Sequence, residues 1–449
     1  MIEGRNTEDS VAPSPQRPVL GRWLAAISAG LIGIATLTPS TQMLEPGIDP
    51  FCIVCGSVGG VDVVLNLLLF LPLGVGLALA LVGPWRALMG MAAFTLAIEC
   101  LQILVVPGRD ASLGDVLMNI IGGALGYAVG ARVASLLTPS TALARTLAVV
   151  WGALWLGMQA VSSYSLTPRP PDATYFGQIA PTLGGGGLSP FEGQVLGASI
   201  DTSPILDGEL SEGQSIRVRD ALQVGAFVRA EAVSRGSPPL IAPIFRVADD
   251  EQREVLMVAQ KTAALIFGVR TGADVLKLTP VRFRLHDVFP SASGPLARAD
   301  TIIIEARHAR GYASLRSRSH SSGSRELTLA LHASEGWRLF LPLQTYVEGG
   351  SWSVLLSSAW IILLIFPLGY WISFVSERQD PVGSRRVEGA AVVLFVVVLA
   401  VGLVGIPIAF GLDSGDAWEW VVTAAGALLG ATFSLVFGGR RWRRSRPGR

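Results

Sequence analysis

Six polar side chains interrupt three apolar segments, in pairs whose members are three or four residues apart. The pairs are Asp62 and Asn66, Glu99 and Gln102, and Asp115 and Asn119. Residues at this spacing share one face of an α-helix, so each pair points in one direction if its segment is helical. An ionised carboxylate in a membrane helix costs about 2.5–3.5 kcal/mol on insertion scales, so each acid needs a partner or a role.

At a rise of about 1.5 Å per residue, all six residues lie within about 10 Å of the outer ends of their helices. These residues permit two kinds of role. In the first role, amides and carboxylates hydrogen-bond between helices, and Arg109 neutralises one carboxylate. In the second, the layer is a site open to the outer leaflet, where Glu99, the deepest acid, transfers a proton and Asp115 pairs with Arg109. The ligand-binding residues would then be Asp62, Asn66, Gln102, Asp110 and Asn119. A short, one-sided layer does not favour a third role, a transport pathway.

The elements that must position these side chains are membrane-spanning helices. Hydrophobic residues make up 50% of the 449 residues and charged residues only 15%. The apolar residues are clumped in runs that approach the roughly 20 residues needed to cross a bilayer, which predicts about eight spans. We place these spans at 20–37, 61–82, 86–106, 113–137, 143–164, 352–375, 389–410 and 417–437.

Basic residues predict the orientation of the helices, because short cytoplasmic loops retain Lys and Arg. One set of loops and tails holds Arg5, Arg17, Arg22, Arg86, Arg132, Arg145, Arg378, Arg385, Arg386 and the terminal RRWRRSRPGR. The other set of short loops holds only Arg109. We therefore expect a multi-pass protein of the plasma membrane with both termini in the cytoplasm and residues 165–350 outside it.

The outward segment has the pattern of short β-strands. Stretches such as SIRVRD, GAFVRAEAV, VRFRLHDV and TIIIEARH alternate apolar and polar residues between turn-forming residues. This pattern predicts an all-β sandwich or jelly roll. The architecture resembles the concanavalin and laminin-G type of jelly roll, which often binds glycans, and this resemblance is one of fold alone. Within it, 184–187 is predicted to be a flexible turn and 314–326 a mobile basic loop.

The predicted fold is thus a mixed one, a polytopic helical membrane bundle with an inserted all-β sandwich. Its predicted parts are a disordered tail (1–19), a five-helix membrane domain (20–164), the β-sandwich (165–350), three further spans (351–438) and a basic tail (439–449). A net charge of +1 gives no indication of nucleic-acid binding.

The cysteines and histidines indicate no metal or cofactor. Cys52 and Cys55 form a CxxC motif in an outward loop, where an oxidising compartment favours a structural disulfide over a redox-active pair. The loop lacks the two further ligands that zinc would require. The four histidines, all in the strand-rich segment, have no metal-binding spacing, and no hydrolase signature is present.

The polar pairs and their surroundings resemble the VanZ-like family over residues 61–130. The resemblance rests on DVVLNLLLFLPLG, IECLQ and GRDASLGDVLMNIIGGALG. The matching positions are Asp62, Asn66, Phe70, Pro72, Gly74, Glu99, Gln102, Arg109, Asp115, Asn119, Gly122 and Gly126. The resemblance implies a bacterial envelope protein linked to glycopeptide (teicoplanin) resistance, but it implies no reaction.

Two functions follow as hypotheses. In the first, the membrane bundle anchors an outer domain that binds a cell-wall or capsule glycan. In the second, the protein is a membrane enzyme that acts at the outer leaflet on a lipid-linked envelope precursor, through Glu99, Asp115 and Arg109. A purely structural or scaffold role is the remaining alternative.

Overall fold

The computed structural model describes residues 16–39, 51–108, 112–181, 188–289, 301–320, 323–341, 346–348, 350–377 and 384–444. The chain divides into two compact units, Met1–Cys55 with Asp62–Leu137, and Gly56–Val61 with Thr138–Arg449. Within the described residues, eight helices are long and apolar enough to cross a membrane. The predicted polytopic helical fold is therefore confirmed.

The first unit is helical. Its helices are α1 (Gln16–Leu37), α2 (Gly59–Leu79, from Asp62 onward), α3 (Pro84–Val105), α4 (Leu113–Ala131) and the short α5 (Val133–Leu137). Proline at the start of α3 fits the first helical turn, where a backbone N–H has no partner in the helix. The apolar core of this unit contains Ile32, Phe70, Leu73, Met91 and Ile98.

Glycines bring α2 and α4 into close contact. A Cβ atom on Gly122 would overlap the carbonyl oxygen of Leu67, and one on Gly126 would overlap that of Leu71. On the facing side, Gly74 lies against the backbone of Gly123. Such close approach is what small residues permit between membrane helices, and it fixes the distance between the polar residues that the two helices carry.

The second unit contains two antiparallel sheets of six strands each. The strands are β1 (Phe176–Ile179), β2 (Gly193–Ile200), β3 (Ser203–Pro204), β4 (Gly208–Glu209), β5 (Phe227–Ser234), β6 (Ala242–Ala248), β7 (Glu254–Lys261), β8 (Ala264–Val269), β9 (Arg282–Leu285), β10 (Thr301–Ala309), β11 (Tyr312–Ser319) and β12 (Gly323–Ala330). The first sheet has the order β4-β1-β6-β7-β8-β9, and the second has the order β12-β11-β10-β5-β2-β3. The predicted all-β, two-sheet region is confirmed.

The two sheets differ in burial. Strands β6 and β8 of the first sheet are buried at every position, as expected for strands covered on both faces. In the second sheet, β10 and β11 alternate between buried and partly exposed residues. One face of the second sheet is therefore open to solvent.

Helices complete the second unit. They are α6 (Thr141–Leu166), α7 (Glu212–Val224), α8 (Gly272–Val275), α9 (Ala333–Gly336), α10 (Ser351–Glu377), α11 (Ser384–Ala400), α12 (Ile406–Ala409) and α13 (Ala417–Arg444). A π-helical turn, Val401–Gly405, joins α11 to α12, and a 3₁₀ turn, Trp337–Phe340, follows α9. The long helices pack through the indoles of α6: Trp155 lies in the apolar core, and Trp151 donates a hydrogen bond to the Leu364 carbonyl (2.5 Å).

The predicted strand SIRVRD is wrong, because residues 215–220 lie in α7. The Ser211 hydroxyl accepts a hydrogen bond from the Gln214 backbone, and the Gln214 side chain accepts one from the Ser211 backbone. Gly225, at φ 87°, ends the helix in a left-handed conformation. These end signals outweigh an alternation that is only six residues long.

The predicted mobile loop at 314–326 is also wrong, since its described residues belong to β11 and β12. Arg316 lies opposite Glu326 across the two strands, and its Nη2 is 2.8 Å from a Glu326 carboxylate oxygen. Leu315 points into the core and is fully buried. The positive charge of the segment is thus partly neutralised across the strands. The predicted turn at 184–187 lies outside the described residues.

Candidate functional site

Glu99 on α3 is held against the start of α4. The side chain is only 7% exposed, and the backbone N–H of Ser112 donates a hydrogen bond to its Oε2 (3.1 Å). The Ser112 hydroxyl in turn accepts a hydrogen bond from the Asp115 backbone N–H (3.0 Å), as a helix N-cap does. The positive end of the α4 dipole therefore faces the Glu99 carboxylate.

Asp115 connects the same place to α2. The Asn66 amide Nδ2 donates a hydrogen bond to Asp115 Oδ1 at 2.5 Å. Asn66, Asp115, Ser112 and Glu99 thus form a continuous chain of contacts through three helices. The structure brings together three of the residues that the sequence predicted, Asn66, Glu99 and Asp115.

Two buried amides extend this arrangement. Asn119 donates to the Thr95 hydroxyl (2.9 Å), and Gln102 donates to the Thr36 carbonyl (3.0 Å). Their oxygens, Asn119 Oδ1 and Gln102 Oε1, are buried and have no hydrogen-bond partner among the described residues. A buried acceptor without a donor costs about 1–3 kcal/mol, so these oxygens are available to a ligand or a water. We call Asn66, Glu99, Gln102, Ser112, Asp115 and Asn119 the bundle cluster.

The remaining predicted residues are Asp62, Arg109 and Asp110. Asp62 is exposed in the first turn of α2. Arg109 and Asp110 lie outside the described residues, so the pairing of Asp115 with Arg109 stays a prediction. Among the residues the structure describes, Glu99 forms no ion pair, and no group of His, Cys, Asp and Glu could hold a metal ion.

Sequence reasoning missed three contributors, Thr36, Thr95 and Ser112. Ser112 was recognisable, because Ser-x-x-Asp before an apolar run is a helix N-terminal motif. Thr36 contributes only its backbone carbonyl, which no side-chain pattern reveals. Thr95 lies four residues before Glu99 and thus on the same helix face, a spacing that carries little weight for a single hydroxyl.

A disulfide joins Cys52 and Cys55 beside the start of α4. The Gly114 backbone N–H donates to the Cys52 carbonyl (3.1 Å). A Cβ on Gly114 would overlap the Ile53 carbonyl, so the loop lies directly on the first turn of α4. A backbone hydrogen bond from α4 therefore holds the disulfide-closed loop next to the helix end that faces Glu99.

The second unit contains another buried polar group, which we call the junction cluster: Glu335, Arg338, Ser353 and Ser357. Arg338 is 4% exposed and pairs with Glu335 at 3.0 Å. Its Nη2 also donates to the Ser353 carbonyl (2.9 Å) and the Ser357 hydroxyl (3.0 Å) of α10. Burial raises the pKa of Glu335, and the nearby Arg338 opposes that rise. The cluster joins the end of the β region to a membrane helix.

The solvent face of the second sheet carries a group of cations and aromatics. The Arg307 guanidinium lies over the Phe227 ring (4.6 Å) and beside the Tyr312 ring (5.3 Å). Phe227 is 56% exposed. Further along the same face, Arg318 lies 3.9 Å from Glu305. We call Phe227, Arg307 and Tyr312, with their charged neighbours on β10 and β11, the arginine face.

Fold and site together define a class, a polytopic membrane protein that combines a glycine-packed bundle containing a polar cluster with a two-sheet region. Residues 25–134 match the family model described as VanZ/LLP1. This part of the chain is therefore a VanZ-like domain, and it contains every residue of the bundle cluster. No curated protein and no solved structure matches the chain.

Proposed function

We propose that the protein is a plasma-membrane protein of the cell envelope whose VanZ-like domain anchors a glycan-binding β region outside the cytoplasm. Eight apolar helices fit the membrane part of the proposal. The asymmetry of Lys and Arg between alternate loops supports an arrangement with both termini in the cytoplasm. Reporter fusions at the C-terminus and within 290–300 test this orientation, and an extracellular C-terminal reporter would contradict it.

The arginine face is the observation that carries the glycan proposal. An exposed aromatic ring offers an apolar surface to a sugar ring, and a guanidinium beside it offers fixed donors to hydroxyl or carboxylate groups. Arg307 is held in this position because its Nε donates to the Gly225 carbonyl (2.6 Å). Trp337 offers no such surface, because it is buried and stacks on Trp360 at 5.0 Å.

The test is binding of the full chain in detergent to an array of cell-wall and capsule glycans. We expect binding that the double variant Phe227→Ala/Tyr312→Ala abolishes. Leu206→Ala is the matched control, because Leu206 is 70% exposed in the same unit and lies outside the arginine face. Absence of binding above background, or equal binding by the double variant, overturns the glycan proposal.

A membrane-embedded enzyme is the second candidate, and the bundle cluster favours it. Glu99 is a buried acid that accepts a backbone hydrogen bond and has no ion-pair partner in the described structure. The side-chain oxygens of Asn119 and Gln102, which have no partner among the described residues, can accept hydrogen bonds from a polar head group. In this candidate, Glu99 acts as acid or base on a lipid-linked envelope precursor, with Asp115 and Arg109 in support.

Glu99→Gln separates the two candidates. Gln can accept the Ser112 hydrogen bond but cannot take up a proton, so folding is retained and chemistry is lost. We expect unchanged thermal unfolding, loss of precursor turnover measured by mass spectrometry, and loss of any teicoplanin tolerance that the wild-type chain confers. Glu326→Gln on β12 is the control. If Glu99→Gln keeps full function, the bundle cluster serves only helix packing.

A further inference from the structure

An apolar cavity of about 340 Å³ lies between α6, α10 and α11 in the second unit. Its α6 wall includes Val149, Gly152 and Leu156, which follow one another at helical spacing along one face. Leu368 on α10 and Val398 on α11 complete the walls. Every lining residue is apolar or glycine except one, Arg145, at the end of the cavity nearest the start of α6.

The cavity opens toward the outside of the helices. Val149 and Leu394, both in its lining, are 67% and 59% exposed. These helices are candidate membrane spans, so the medium outside the opening is lipid. From Arg145 to Leu156 the α6 wall is about 16 Å long at 1.5 Å per residue. That length is roughly half of the 30 Å hydrocarbon core, which corresponds to one leaflet.

Arg145 gives the cavity a polar end. The side chain is exposed and forms no ion pair with any described carboxylate. A cation at the end of an apolar groove one leaflet long matches an acyl chain that carries a negative head group. The basic-loop orientation places Arg145 at the cytoplasmic surface, the side on which anionic lipids attract basic residues.

We propose that this cavity is a binding site for an anionic phospholipid, with one acyl chain between α6, α10 and α11 and its phosphate on Arg145. The site shares no residue with the bundle cluster or with the arginine face. It does not depend on the function proposed for either of them.

The experiment is native mass spectrometry of the full chain, released from detergent with equal amounts of phosphatidylglycerol and phosphatidylcholine of the same acyl chains. We expect the wild type to retain phosphatidylglycerol in preference, by about fivefold, as one basic residue at an anionic surface provides. Arg145→Gln reduces the preference to about onefold on the same basis. Arg86→Gln is the control, since Arg86 is also exposed in the first turn of a membrane helix but lies outside the cavity.

Filling the cavity tests where the acyl chain lies. A Cβ on Gly152 would meet only Val398 at 3.8 Å and Leu368 at 3.9 Å, which is ordinary contact, so Gly152→Leu extends into the cavity. We expect this variant to lose both lipids. Val149→Trp at the exposed opening is the second variant, chosen because it perturbs no buried contact. Equal retention of both lipids by the wild type, an unchanged preference in Arg145→Gln, or full retention by both filling variants overturns the proposal.

Discussion

The bundle cluster and the junction cluster both bury polar side chains beside membrane helices, yet they differ in whether the buried carboxylate has an ion-pair partner. In the junction cluster, the carboxylate of Glu335 is paired with Arg338, whose guanidinium also binds the Ser357 hydroxyl. In the bundle cluster, Glu99 has a backbone donor and no ion pair among the described residues.

The difference separates a structural role from a binding role. A buried ion pair with further hydrogen bonds fixes two elements relative to each other and leaves little capacity for a ligand. Buried acceptors without donors are unfavourable in the free protein, and a ligand that supplies donors removes that cost. We therefore propose that the junction cluster serves packing and that the bundle cluster serves ligand recognition, and the following predictions test that proposal.

The largest effect is expected from Arg338→Met in the junction cluster. Removal of the cation leaves Glu335 buried without its partner, which costs about 3–5 kcal/mol. The free energy of unfolding, measured by tryptophan fluorescence of the full chain in mixed micelles, should fall by that amount. The double variant Arg338→Met/Glu335→Gln should recover most of it.

Arg316→Met provides the matched control for that variant. Arg316 pairs with Glu326 on the surface, where the two side chains are 41% and 51% exposed. Exposed pairs contribute up to about 1 kcal/mol, so this variant should unfold nearly as the wild type does. Equal losses in Arg338→Met and Arg316→Met would contradict a structural role for the junction cluster.

The next largest effect is a pH dependence of the stability, and it comes from His308, which the second unit buries in its neutral form. His308 on β10 is 2% exposed, and its ring packs edge-on against Phe283 at 5.0 Å. Burial lowers the pKa of His308 from 6.5 to about 4, although the nearby Leu166 backbone opposes the shift.

The sign of the effect follows from proton uptake. Between pH 6.5 and 4 the unfolded chain binds the proton and the folded chain does not, so stability falls as the pH falls through this window. The total loss is about 3 kcal/mol at 1.36 kcal/mol per pKa unit. His308→Phe should remove this part of the pH dependence, whereas His286→Gln, at an exposed histidine, should retain it. If the free energy of unfolding varies with pH in the same way in the wild type and in His308→Phe, His308 is not buried in its neutral form.

The sequence predicted the pairing of helix faces in the bundle cluster but not its hydrogen bonds. Spacings of three and four residues identified Asn66, Glu99 and Asp115, because side-chain direction in a helix follows from residue number alone. The contact of Gln102 with the Thr36 carbonyl depends on how α1 and α3 pack, and residue spacing within one helix carries no information about that.

In the β region, the length of a segment decided whether its sequence pattern identified the correct element. Alternation identified β10 through TIIIEARH, since a strand nine residues long shows its period several times. The six residues of SIRVRD show too few periods to exclude a helix, and Ser211 and Gly225 decide the structure instead. The junction cluster was missed altogether, because Arg338 and Ser357 lie in different elements 19 residues apart and neither belongs to a motif.

A smaller effect is expected from Gly126→Leu, which tests whether the bundle cluster depends on close helix packing. Any Cβ at this position would overlap the Leu71 carbonyl, so α2 and α4 must separate. Overpacking of this kind costs about 1–3 kcal/mol, and it should also weaken the contact between Asn66 and Asp115. Gly90→Leu on α3 is the control, because a Cβ there meets no heavy atom within 4 Å. A normal melting profile for Gly126→Leu would contradict the packing of α2 against α4.

The last comparison separates the two clusters most directly. It sets Ser357→Ala, with an effect no larger than that of Gly126→Leu, against Asn119→Leu, with the smallest effect on stability. The Ser357 hydroxyl accepts from Arg338 and Trp337 and donates to the Ser334 carbonyl, so its loss leaves buried partners unpaired, at a cost of about 1–3 kcal/mol.

Asn119 has one described donor contact and one buried oxygen with no described partner. Replacement by Leu removes that unpaired acceptor together with one hydrogen bond, so the net change in the free energy of unfolding should stay within about 1 kcal/mol. If the oxygen of Asn119 binds a ligand, as we propose, envelope function should nevertheless fall in Asn119→Leu. In Ser357→Ala, the fraction of protein that folds should keep its function. If Asn119→Leu instead lowers the free energy of unfolding more than Ser357→Ala does, both clusters serve helix packing.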